Sequence, residues 1–162
     1  MSKFSNFQDL SPQSRVWIYQ SNRNLSDAEV ADIQPVVQQF ATQWVSHNRQ
    51  LKSGGAVLHN RFLILMVDET QAGASGCSID SSVRFITELG SKIGVSFFDR
   101  LTFPFRENGE IKYVSKDDFE QLFANGSIDD ATLVFDNLVK TKQELETSWE
   151  KKLGESWHRR FV

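Results

Sequence analysis

Hydrophobic and polar positions along the chain alternate between helical and strand-like periods. The longest apolar run is Phe62 to Val67, six residues without a polar break, which is the pattern of a strand covered on both faces. Asp68 and Glu69 stand where that strand ends, and Gly73 and Gly76 let the backbone turn. Ile79, Val83, Ile86, Leu89 and Ile93 then recur at spacings of 4, 3, 3 and 4. That single stripe predicts an amphipathic helix entered near Ser78 or Asp80, with Gly94 placed to cap its end.

Before this segment, Arg15 to Gln20 is β-branched and aromatic, a strand pattern. Ser26 followed three residues later by Glu29 forms a capping box. The helix it opens carries Val30, Ile33, Val37, Phe40 and Trp44 and ends near His47 and Asn48. Pro35 lies inside that stripe and predicts a kink or a break into two pieces. Residues 50–55 read as a linker and 56–59 as a short strand.

After Gly94, residues 101–114 read as a hairpin. A three-residue loop, Glu107 to Gly109, would pair Phe105 with Ile111 and Phe103 with Tyr113 and keep one face apolar. Gly109 would then be left-handed, and Pro104 would mark an edge or bulged strand. Ser115 and Asp118 open a short helix that stops at Asn125-Gly126. Residues 131–139 predict a last strand. Thr141 and Glu144 box a final helix whose slanted stripe is Leu145, Trp149, Leu153 and Trp157.

These elements define an α/β (or α+β) fold, with a mixed sheet of roughly five strands flanked by three or four helices. Residues 1–14 are expected to be an arm, and 15–162 a single domain.

Composition narrows the partners. The chain has 162 residues, one cysteine and a formal net charge of −3. An acidic balance argues against nucleic acid, which asks for a basic face. A single cysteine leaves no internal disulfide or cysteine-pair metal site. No apolar run approaches a membrane span, and residues 1–13 lack a signal-peptide core. A soluble cytoplasmic protein is expected. The aromatic stripe of the last helix would form core, or would pair with a second copy.

Candidate chemistry gathers at residues 61–93, because in open α/β sheets ligands collect where strands end and helices begin. Cys77 sits at the helix entrance, where free N–H groups favour a thiolate. His47 or His59 would be its base in a thiol-dependent enzyme. Asp68 and Asp80 oppose a thiolate, so the favoured expectation is an inert thiol packed beneath the loop. Asp68, Glu69, Ser78, Asp80 and Ser81, with Ser82, could instead hold a small ligand at the helix start. Asp68, Glu69 and Asp80 lack recognisable metal-ligand spacing, so no metal and no cofactor are expected. The leading expectation is a non-catalytic small-ligand or protein-interaction module with its pocket at 61–93.

RVWIYQS, VDE and SGCSIDSS, at residues 15–21, 67–69 and 75–82, resemble a group of small bacterial proteins labelled "ABC transporter ATPase". The label implies nucleotide hydrolysis. LILMVDE, residues 63–69, has the outline of a Walker B strand, and LKSGG, residues 51–55, echoes an ABC signature. No GxxxxGK[ST] occurs in the chain, so the phosphate cradle, its lysine and the magnesium-binding hydroxyl have no source. The resemblance therefore carries a label without the machinery it names.

Overall fold

The computed structural model describes residues 4–162. The chain divides into two compact units, one running to Asp99 and including Lys140–Gln143, the other comprising Arg100–Val139 and Glu144–Val162. The predicted mixture of helices and strands is present, with four α-helices. Its strands, however, are shared among three sheets of three, two and four strands rather than gathered in one.

The first unit is built on β1 (Arg15–Gln20), β4 (Lys52–Leu58) and β5 (Phe62–Asp68), in the order β1-β5-β4 with both pairings antiparallel. All of β5 is buried, which explains the unbroken apolar run. Its alternate residues Leu63, Leu65 and Val67 share a core with Ile33 and Val37 of α1 (Asp27–Gln43) and with Ile86 and Leu89 of α2 (Gly76–Ile93).

Gly54 and Gly55 lie inside β4 and not in a linker, and close packing is the reason. A Cβ on Gly55 would come within 2.8 Å of Val37, and one on Gly54 within 2.9 Å of the Phe7 ring. Phe7 itself is fully buried, so this part of the arm is packed. At the outer edge of β4 the Gln34 amide accepts from the Val57 N–H (2.7 Å) and donates to the Val57 carbonyl (3.1 Å). Between α1 and β4 lies a small hairpin, β2 (Val45–Ser46) and β3 (Arg49–Gln50).

The Ser26–Glu29 capping box forms as the spacing predicts. Pro35 remains inside one continuous element, α1, which ends at Gln43, short of His47. In α2 the stripe is shifted. Ser78, Ser82, Ile86, Leu89 and Gly90 are buried, whereas Val83 is 38% exposed. Gly94 caps α2 in the left-handed conformation with φ of 75°.

Gly90 allows the chain leaving α2 to fold against the helix, because a Cβ there would meet the Val95 carbonyl oxygen at 2.6 Å. Alanine at a helix interior normally gains about 1 kcal/mol over glycine. A backbone carbonyl cannot rotate away, so Gly90→Ala should instead lose about 2 kcal/mol through overpacking. Urea denaturation checks the sign.

The second unit carries β6 (Thr102–Glu107), β7 (Glu110–Ser115), β8 (Leu133–Phe135) and β9 (Glu150–Lys152), ordered β7-β6-β8-β9. Phe103, Phe105, Phe119 of α3 (Lys116–Ala124), Val134 and Leu153 form its core. The hairpin departs from the expected register. Glu107 pairs with Glu110 and Phe105 with Lys112 across a two-residue Asn108-Gly109 loop. Both loop residues have positive φ, 53° and 81°, as a type I′ turn requires.

The alternation counted from that turn puts Pro104 at a non-hydrogen-bonded position of the β6–β7 ladder, where no N–H is needed. Its nitrogen faces β8, whose register with β6 is the single pair Phe105–Val134. An inner strand therefore tolerates this proline without a bulge. The apolar alternation misled because Phe103, Pro104 and Phe105 are all buried.

The long C-terminal helix does not form. α4 (Lys142–Ser148) is short and is followed by β9, then by 3-10 turns at Leu153–Glu155 and Trp157–Phe161. Trp149 is 1% exposed, packed edge-on to Phe135 at 5.2 Å. The stripe expected on one helix is thus divided among α4, the residue that follows it and the two 3-10 turns, with Trp149 in the core.

Candidate functional site

The strand-loop-helix at 61–93 is organised by Asp68, the last residue of β5. Its carboxylate is 2% exposed. It accepts from the Ser11 N–H (3.0 Å), the Thr70 N–H (3.1 Å) and the Thr70 hydroxyl (2.7 Å), and pairs with Lys52 at 3.6 Å. Burial pushes its pKa up, but these hydrogen bonds, Thr70 foremost, and the Lys52 charge outweigh it and hold it at about 2. The cover is thin, since the Lys52 side chain is 45% exposed.

The loop beyond is braced in the same way. Glu69 accepts from the Ala74 N–H at 2.9 Å. Ser75, rather than Ser78 or Asp80, is the N-cap, because Ser78 stands in for the usual glutamate of a capping box and the two serines bond reciprocally. The Ser78 carbonyl accepts from the Trp44 indole (2.8 Å) and from the Ser81 hydroxyl (2.8 Å), and the Ser82 hydroxyl donates to Ile79 (2.6 Å). Of the residues expected to bind a ligand, Asp68, Glu69, Ser78 and Ser81 therefore hold the chain's own groups, while Asp80 is exposed.

Cys77 is exposed, not packed beneath the loop. Starting α2 at Gly76 makes Cys77 its second residue, on the outer side of the first turn. Neither histidine is joined to it. His59 precedes β5 whereas Cys77 follows it, and a seven-residue strand alone spans about 20 Å. His47 is exposed on the β2–β3 turn, and among the described residues no hydrogen bond joins it to the thiol.

Both histidines have a conformational role that motif reading passed over. His47-Asn48 and His59-Asn60 are consecutive positive-φ pairs at hairpin turns, and histidine and asparagine are among the residues that tolerate this region. The repeated His-Asn between strand-like segments was the available signal. The LKSGG segment likewise belongs to packed strand, and the Asp68 oxygens are spent on Ser11, Thr70 and Lys52. No group of three or more metal-binding side chains occurs among the described residues.

A second polar cluster lies in the second unit, where the sequence showed only a basic tail. The Ser156 hydroxyl and His158 Nδ1 are 2.6 Å apart. Asp136 accepts from Lys151 (2.8 Å) and from the Trp157 indole (2.9 Å). Burial pushes the His158 pKa down to about 4, against the opposing charge of Asp136. Ser156 and His158 are themselves buried, so this pair fixes the C-terminal turn and presents no nucleophile. The same unit has an open groove of about 310 Å³ lined by Lys116, Phe123, Arg160 and Phe161, among others.

Comparison of the chain with family models, with curated proteins and with solved structures finds no match. No helix among the described residues is long and apolar enough to cross a membrane.

Proposed function

We propose that the protein is a non-catalytic cytoplasmic binding module whose recognition surface is loop 69–75 with the first turn of α2, taking a small ligand or a protein segment. The carrying observation is that the loop's polar groups are committed to one another, through Asp68–Thr70, Glu69–Ala74 and Ser75–Ser78. A loop fixed before contact loses little entropy on binding. Cys77 and Asp80 are left facing outward.

A second reading, a thiol-dependent enzyme, is favoured by one observation: Cys77 is exposed in the first turn of an 18-residue helix. Two measurements separate the readings. Amide-resolved NMR with a library of small carboxylate and aromatic fragments should give shifts concentrated at residues 69–82; shifts confined to the Lys116–Arg160 groove would overturn the site. Iodoacetamide should alkylate Cys77 in the folded protein at a rate unchanged by His47→Ala or His59→Ala. A large drop in either variant would favour the enzyme.

A further inference from the structure

Two asparagines precede glycine, Asn108 and Asn125, and both are exposed. We propose that Asn108 is a site of spontaneous deamidation in the folded protein and that Asn125 is protected from it. In this reaction the backbone nitrogen of the following glycine loses its proton to solvent base and attacks the side-chain carbonyl carbon. A nitrogen–Cγ bond forms, the bond from Cγ to the amide nitrogen breaks, and ammonia leaves. Water then opens the resulting succinimide at either carbonyl, giving aspartate or isoaspartate. Water is the only co-reactant. The requirements are an unhindered glycine nitrogen without a hydrogen-bond acceptor and a side-chain amide free to rotate.

Neither requirement is met at Asn125. The Gly126 N–H donates to the Phe123 carbonyl at 3.2 Å, and Asn125 Oδ1 accepts from the Ser127 N–H at 2.9 Å. Those bonds belong to the end of α3 and hold nucleophile and target apart.

Asn108 differs on both counts. Register places Glu107 opposite Glu110, so the bonds closing the turn run between those two residues and do not use the N–H of the exposed Gly109. Among the described residues the hydrogen bond found at Gly109 is at its carbonyl oxygen, which accepts from Arg106 at 3.1 Å. Among the described residues none bonds to the Asn108 amide. Its glycine neighbour has nothing within 4 Å of where a Cβ would stand.

The product would alter the hairpin specifically. Isoaspartate adds a methylene to the backbone of a two-residue loop whose geometry fixes the β6–β7 register. It also adds a negative charge between Glu107 and Glu110.

The test is incubation of the intact protein at mildly alkaline pH with peptide mass spectrometry over time, alongside a sample in concentrated urea. In urea both asparagines should convert at similar rates. In the native protein Asn108 should gain one dalton several-fold faster than Asn125, with isoaspartate among its products. Equal native rates, faster conversion of Asn125, or no native conversion at Asn108 while the urea sample reacts would each overturn the proposal.

Discussion

Trp149→Ala is expected to cost about 3–5 kcal/mol, the range for emptying a buried indole site. The ring is almost wholly out of solvent and packs against Phe135. Its indole N–H donates to Asn137 at 2.9 Å, and the Trp149 carbonyl accepts from the Asp136 N–H at 2.7 Å. Truncation therefore leaves both a cavity and an amide without its donor. Hydrogen exchange of the β8 and β9 amides reads the loss in the unit that suffers it. Leu138→Ser, at a side chain 65% exposed, should change it by less than about 0.5 kcal/mol. Comparable effects from the two substitutions would return Trp149 to the surface.

Asp68→Ala should cost about 3 kcal/mol, because it strands two backbone N–H groups and a hydroxyl that now share one carboxylate, and bonds to a charged group are the stronger kind. The measurement is urea denaturation followed by exchange of the β5 amides. The pH dependence has a definite sign. The folded pKa of about 2 lies below the ordinary 3.8. The contribution is thus complete above pH 4 and fades as pH falls towards 2. After discounting for the exposed Lys52 partner, it amounts to about 1–2 kcal/mol. Asp68→Asn should reduce that acid-side slope without removing it, because Asp136, despite its burial, is likewise held below the ordinary carboxylate range by its bond to Lys151. A variant that keeps the wild-type slope would show that another carboxylate is responsible.

Local chemistry was legible in the sequence wherever the neighbours that decide it are also local. The Ser26–Glu29 box, the Gly94 cap, strand β1 and the buried run of β5 all follow from residues a few places apart. Register and termini were not. Glu150–Lys152 has the composition of a helix surface, yet it pairs with β8 because Arg106 meets Glu150 at 2.6 Å and Asp136 meets Lys151 at 2.8 Å. Those partners lie far away in the chain. The hairpin was misaligned for a similar reason, since both faces of β6 are covered and alternation carries no signal there.

The candidate site divides along the same line. Position alone marked Asp68, Glu69, Ser78 and Ser81 as special, and they are, but as braces whose partners Ser11, Ala74 and Ser75 no motif identifies. Cys77 lies on the exposed first turn because α2 begins at Gly76, two residues before Ser78 and four before Asp80. His47 and His59 are accounted for by backbone conformation, each with positive φ at a hairpin turn.

The Gln34 amide at the rim of β4 bears on the company this protein keeps. A strand with an open side is a template on which another chain can add itself, the first step towards fibrils and swapped assemblies. By offering Val57 an acceptor and a donor together, one side chain imitates the missing neighbour. It arrives from α1 and carries no further strand edge at that rung. A chain adding itself to that flank would have to displace the Gln34 amide from Val57 before it could pair there.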